Sequence, residues 1–182
     1  MSLNSAPLNR PGLIRLVRPT TDFKNSFLEG LREFQNEGWP WHLELDLLEL
    51  ESDFPAFVQN ELDLVIPGVA LQVPETKLWG LLRGEYVGSI SIRHELNEEL
   101  SIVGGHIGYD TRPGFRGQGI ATAMLRGALP IARSIGLTKV LLTCGETNVA
   151  SRRVIEKNGG VLEKTQKIDA LGTIKRYYWI QL

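Results

Sequence analysis

A run of ten residues, Arg112-Pro113-Gly114-Phe115-Arg116-Gly117-Gln118-Gly119-Ile120-Ala121, joins a strand-like stretch to a strong helix candidate and restricts the folds open to this chain. Three glycines within six residues let the backbone approach a ligand closely and turn its N–H groups inward. The helix start adds unpaired N–H donors and the positive end of the helix dipole, a combination that suits an anion. Arg116 supplies a formal charge, and together these features read as a pyrophosphate cradle. A Walker loop would close on Gly-Lys-Ser/Thr, and no such triplet occurs. A dinucleotide fingerprint would need a third glycine where Thr122 stands, and would open a first βαβ unit rather than lie past mid-chain. The pattern Arg/Gln-x-x-Gly-x-Gly/Ala is met at every defined position by Arg116 to Ala121.

The surrounding pattern is that of a mixed α/β domain. Leu13 to Arg18 alternate as a strand, and Asp22 reads as the N-cap of a helix to about Asn36 with Phe23, Phe27, Leu31 and Phe34 on one face. Helical turns are expected near Leu43–Leu50 and Phe54–Leu64, followed by an irregular stretch over Pro67–Pro74. Lys77–Leu82 and Tyr86–His94 form a hairpin about Arg83-Gly84-Glu85, and a third strand covers Gly104–Thr111. The helix Gly119–Ile135 should be kinked at Pro130 or carry an irregular turn there. A buried strand at Lys139–Cys144, a helix at Asn148–Lys157 and two strands, Gly160–Ile168 and Thr173–Leu182, complete the order, the last two joined by a turn at Asp169–Gly172. The expectation is one domain over residues 1–182, with a central sheet of six to seven strands and a parallel pair bridged by the Gly119 helix.

Composition excludes several classes of function. Twenty basic residues face 21 acidic ones, so nothing global suggests a nucleic-acid partner. A single cysteine, Cys144, rules out an internal disulfide and a multi-thiolate metal site, and the three histidines show no ligand spacing, so no metal is expected. No apolar run approaches the roughly 20 residues that span a bilayer. Met1–Gly12 lacks the apolar core of a signal peptide, so no membrane partner and a cytoplasmic location are expected.

Taken with its position between strand and helix, the Arg116–Ala121 loop resembles that of the GNAT superfamily of N-acetyltransferases. A second resemblance lies in Asn148-Val149-Ala150-Ser151 at the start of the next helix, and a third in Val154–Val161 with its glycine turn. Arg93–Asn97, Gly104–Tyr109 and Arg176–Ile180 look like those of a branch of predicted, largely uncharacterised bacterial acetyltransferases. The resemblance implies a GNAT-like sheet with splayed parallel strands and flanking helices. It implies acetyl-CoA as cosubstrate, held by Arg116, Gly117, Gln118, Gly119, Ile120 and Ala121. Backbone groups of Tyr109, Asp110 and Thr111 would pair with the pantetheine arm, and Asn148 and Ser151 would reach it. The reaction implied is direct attack of a primary amine, small-molecule or peptide, on the thioester.

His106, on the strand entering the loop, is the first candidate base, because an imidazole near its ordinary pKa accepts a proton at neutral pH. Glu95 and His94 are alternatives, and a backbone N–H near Tyr109 is a candidate oxyanion donor. Many relatives carry a tyrosine seven residues after the asparagine to protonate the leaving thiolate. Here that position is Ile155, so Tyr109, another hydroxyl or water must take the role. The missing tyrosine also leaves open a non-catalytic acyl-CoA sensor. Cys144 reads as structural, the side chain of Asp110 likewise, and the acids Asp46, Glu49, Glu51 and Asp53 as a solvated face. Trp39, Trp41 and His42 are candidates to line the acceptor side. A homodimer by exchange or edge pairing of the C-terminal strand is compatible with the pattern.

Overall fold

The computed structural model describes residues 14–38, 40–63, 73–168 and 172–182. Met1–Gly12, Leu13, Trp39, most of the Pro67–Pro74 stretch and all but Gly172 of the Asp169–Gly172 turn lie outside them, as does the side chain of Trp41. The strands are β1 (Ile14–Val17), β2 (Glu75–Leu82), β3 (Glu85–Arg93), β4 (Ile107–Tyr109), β5 (Lys139–Gly145), β6 (Val161–Ile168) and β7 (Thr173–Gln181). The helices are α1 (Lys24–Asn36), α2 (Pro40–Leu43), α3 (Leu47–Ser52), α4 (Phe54–Leu62), α5 (Glu98–Ile102), α6 (Ile120–Ser134) and α7 (Val149–Lys157).

The seven strands fall into two antiparallel sheets, β1-β2-β3-β4 and β5-β7-β6, rather than one. The expected pair, β4 and β5, shares no ladder. One isolated bridge, Gly105–Leu142, joins the sheets. The seam is made at Gly105, whose φ of +73° no other residue type adopts cheaply, and where a Cβ would lie 2.4 Å from the Leu141 carbonyl oxygen. With Gly104 also at positive φ, the third strand is cut back from the expected Gly104–Thr111 to three residues.

Strand alternation divides the core. Ile90, Ile92 and Ile107 face α6 and α7, where Met124, Leu125, Ala128 and Ile155 are buried. Trp79, Leu81 and Tyr86 face the other way, against Phe27, Leu31 and Phe34 of α1 and Phe54 of α4. α6 runs on through Pro130 without interruption, so the proline marks no irregular turn. Pro130 and Arg126 are both exposed, so the carbonyl that the proline leaves unpaired faces water. The cap of the first helical turn is the Thr20 hydroxyl rather than Asp22, while Asp46 and Asp53 cap α3 and α4, which accounts for two of the four acids there.

α1 also carries Glu29, Glu33 and Glu37, spaced four apart and therefore on one stripe. This stripe grips the glycine loop. Buried Arg112 donates to Glu33 Oε1 from Nε (2.9 Å) and Nη2 (2.7 Å), with Glu29 Oε2 at 3.4 Å. Glu33 Oε2 accepts from the Gly114 N–H at 3.1 Å, and Glu37 pairs with Arg116 at 2.7 Å.

Two expectations follow. Gly105→Ala should cost about 2 kcal/mol or more in urea denaturation, since it adds both left-handed strain and a clash with backbone. For Glu33, the hydrogen bond from Arg112 holds the carboxyl below its ordinary range against the opposing pull of burial. The folded chain thus binds fewer protons than the unfolded one in acid. Its stabilisation is present above the usual glutamate pKa of about 4.3 and lost as pH falls through the lowered value. Glu33→Gln should therefore lower stability by about 1–2 kcal/mol at neutral pH, with the gap to the parent closing in acid, as read from urea midpoints.

Candidate active site

β4 presents two different edges. Arg93 N–H donates to the His106 carbonyl at 2.7 Å, Asp110 N–H to Ser89 at 3.0 Å and Arg112 N–H to Val87 at 2.9 Å. In an antiparallel pair the residues between such contacts turn their N–H and C=O groups outward. Ile107, Tyr109 and Thr111 accordingly aim their backbone groups away from β3, into the space between β4 and β5. Of the three residues expected to pair with a donor arm, Tyr109 and Thr111 are so aimed, whereas the Asp110 amide is already bonded within the sheet.

That space is a cleft of about 370 Å³. Tyr109, Asn148, Ser151 and Ile155 line its α7 side, and Cys144 and Gly145 its β5 side. Ser89, Ser91, Arg93, Gly108 and Asp110 line the opposite side, with Lys175 from β7. Asn148 caps α7, its Oδ1 accepting from the Ser151 N–H at 2.9 Å. The Tyr109 hydroxyl is 2.9 Å from Ser151 Oγ. Burial pushes the Tyr109 phenol up to about 12, so it keeps its proton throughout the neutral range. Burial likewise raises the Cys144 thiol, the mark of an unreactive core cysteine.

The glycine loop precedes the start of α6. Gly117 and Gly119 adopt φ of +75° and +79°, and nothing lies within 4 Å of where their Cβ atoms would be. Gly119 is the N-cap and offers no side chain, so no side-chain cap engages the N–H groups of the first turn of α6. Gln118 Nε2 donates back to the Gly114 carbonyl at 3.2 Å and Arg116 Nε to that of Thr111 at 3.1 Å. Arg116 thus braces the loop through Thr111 and Glu37, in addition to any charge it lends to a ligand.

The other candidates are dispersed. His106 Nδ1 accepts from the Leu141 N–H at 2.9 Å, so its proton sits on Nε2 and no lone pair is left for a substrate. Burial, then the charges of Arg93 and Lys139, lower its pKa further. His106 does not line the cleft, and its ring lies 6.1 Å from that of Trp179. Glu95 is exposed in the bend after β3, outside the cleft lining, and His94 Nε2 is 2.8 Å from Thr76 Oγ1.

Asp110 was legible as a backbone position, and its side chain does more than expected. Its carboxylate accepts from the Ser89 N–H and hydroxyl, each at 3.0 Å. His42 Nε2 stands 3.3 Å from Asp110 Oδ2, with its ring stacked on Phe34 at 4.1 Å. The segment holding His42 is tied to α1 by Gln35 Nε2, which donates to the His42 and Leu45 carbonyls at 3.0 and 2.7 Å. No sequence signal joins positions 42 and 110. The pairing arises only when α2 packs over the end of β4.

Among the described residues no three metal-ligating side chains gather, and no helix is long and apolar enough to cross a membrane. Comparison with curated protein sequences gives no significant match. Among solved structures, the chain is similar to the microcin self-immunity acetyltransferase MccE in complex with acetyl-CoA and AMP. The two are 17% identical over 93% of this chain and 92% of that one, with a TM-score of 0.69. It is also similar to RimL, a ribosomal alpha-N-protein acetyltransferase, in complex with coenzyme A (15% identity, 93% and 94% covered, TM-score 0.66). RimJ of Mycobacterium smegmatis in complex with a CoA disulfide is a third such structure (19%, 92% and 81%, 0.67). At these identities the likeness is one of fold. The family model described as an acetyltransferase (GNAT) domain matches residues 56–161, more than half of the chain, and with it the β4 edge, the glycine loop and Asn148. The chain belongs to the GNAT acetyltransferase family.

Proposed function

We propose that the protein is an N-acetyltransferase that moves the acetyl group of acetyl-CoA to a primary amine by direct attack. The observation that carries this reading is the alignment of a glycine loop and an uncapped α6 start with the outward backbone groups of Tyr109 and Thr111. Residues of this kind fit acetyl-CoA: the loop and helix start suit its pyrophosphate, and the β4 edge suits the amides of its pantetheine arm. Bound there, acetyl-CoA supplies an activated acyl group.

The chain's own residues do the rest. The Tyr109 N–H points into the cleft and is placed to donate to the thioester oxygen as negative charge develops on it. The incoming ammonium must shed a proton before its nitrogen can form the new C–N bond. Asp110, with His42 behind it, is the carboxylate beside that path. As the C–S bond breaks, the phenol of Tyr109 protonates the sulfur and regains a proton through Ser151 or water. The balance is one acetamide, one free thiol and one proton released. In this scheme His106 is a latch between β4 and β5, and the hydroxyl missing at Ile155 is supplied from the strand.

Three variants test the scheme. Gly119→Ala and Gly119→Asp carry the same backbone strain, and only the second adds a negative charge. Calorimetric titration with acetyl-CoA should show a loss of at least tenfold in affinity for Gly119→Asp beyond that for Gly119→Ala. Equal affinities would remove the pyrophosphate from this loop. Tyr109→Phe should lower kcat for acetylation by about tenfold or more, with acetyl-CoA affinity nearly unchanged. Tight binding with no thiol release in any amine mixture would favour a sensor instead.

A further inference from the structure

The side of the cleft away from α7 carries a charge pattern that the transfer reaction does not require. β3 and β4 pair in the register Ile90–Tyr109, Ser91–Gly108 and Ile92–Ile107. The isoleucines therefore point into the core, and Ser89, Ser91, Arg93, Gly108 and Asp110 share the opposite face. All five line the cleft. The two hydroxyls stand between an anion at one end, Asp110, and a cation at the other, Arg93.

The cation lies over a glycine. A Cβ on Gly108 would lie 3.7 Å from both terminal nitrogens of Arg93 and 3.7 Å from Ser91 Oγ. The guanidinium is therefore folded over β4 at position 108 instead of extending along β3. Nη1 donates to the Gly105 carbonyl at 3.0 Å, which fixes one edge of the fork and leaves further N–H donors on the same group. Positions 108 and 110 are two residues apart on one strand face, which is about 7 Å. Lys175, opposite Gly145 in the β5–β7 ladder, adds a second cation to the cleft wall. Arg93, Lys175 and Asp110 are the residues with formal charge among those lining the cleft, so two cations face one anion. A dication such as a polyamine would meet Asp110 favourably at one end and Arg93 unfavourably at the other, with Lys175 adding to the repulsion in the cleft. A monoamine that ends in an anion would meet opposite charge at both.

We propose that the acceptor is a small amine carrying a carboxylate or phosphate several bonds away, its ammonium on Asp110 and its anion on Arg93. Ser89 holds the Asp110 carboxylate in place, and Ser91 offers a neutral hydroxyl beside the guanidinium. This inference rests on the acetyl-transfer reading for which amine reacts, but the binding it describes can be measured without turnover.

The test is calorimetry and competition on the full chain, with and without saturating coenzyme A. The probes are γ-aminobutyrate and aminoethyl phosphate as amine–anions, putrescine as a dication, propylamine as a neutral-tailed amine and butyrate as an anion alone. The amine–anions should bind at least tenfold more tightly than the other three. A preference between carboxylate and phosphate tails identifies the anion. Arg93→Gln should remove most of that advantage and Arg93→Lys restore part of it, Asp110→Asn should weaken every probe that carries an ammonium and spare butyrate, and affinity for coenzyme A should be unchanged in all three. Putrescine or propylamine binding as tightly as the amine–anions would overturn the proposal, as would Arg93→Gln weakening every probe equally. Absence of coenzyme A binding in the parent protein would sink the acetyl-transfer reading, while the ranking of the amines would still decide this one.

Discussion

The ion pair between Arg112 and Glu33 is the contact on which the site's geometry depends. An arginine this deeply buried is tolerable only with its charge met and its fork satisfied. Glu33 supplies both, at 2.9 and 2.7 Å, while its other oxygen takes the Gly114 N–H. One carboxylate thus fixes the end of β4 and the first glycine of the loop together. Glu37 repeats the arrangement one turn later on Arg116, and Gln35 on the same helix secures the strand-distal segment that carries His42. The glycines give the loop its conformational freedom, and α1 then limits that freedom to one geometry. A flexible cradle would have to be ordered by its ligand, at a cost in affinity.

The second constraint is the seam. Two sheets that met along a full ladder would leave no space between β4 and β5. A single bridge at Gly105, with His106 bonded both ways to Leu141, stops the sheets from separating without letting them zip. Beyond it, the hydrogen-bond parity set by β3 turns Tyr109 and Thr111 outward. The cleft is therefore a consequence of backbone alternation, with the glycine at 105 deciding where the pairing ends.

Much of this was legible in the chain. The loop could be read because left-handed glycines before a helix have few structural uses, and Asn148 because an N-cap asparagine after a buried strand is recognisable by position. The element order was readable from periodicity. The partner of the loop was not: Glu29, Glu33 and Glu37 form a visible stripe, but their targets lie about 80 residues away, and spacing along one helix says nothing of what packs on it. The role of His106 was also beyond pattern, since alternation places a ring on a face without saying which nitrogen is bonded. The strand starts later than its pattern implies because Gly104 and Gly105 take positive φ, a backbone choice that alternation does not reveal, and this ends the ladder.

The isoleucine at 155 follows from the same geometry. Ser151 and Ile155 are one helical turn apart and so share the face of α7 that lines the cleft. Tyr109 reaches across from β4 and places its hydroxyl 2.9 Å from Ser151 Oγ, filling the space beside that face. A tyrosine at 155 would bring a second phenol to the same wall, and the buried environment would require a partner for its hydroxyl as well. An apolar side chain at 155 packs into the α6–α7 core, and the phenol from the strand keeps the polar atom at the gap. The apolar side chain on the helix is thus complemented from the strand, whose one hydroxyl supplies the polar atom on that wall of the cleft.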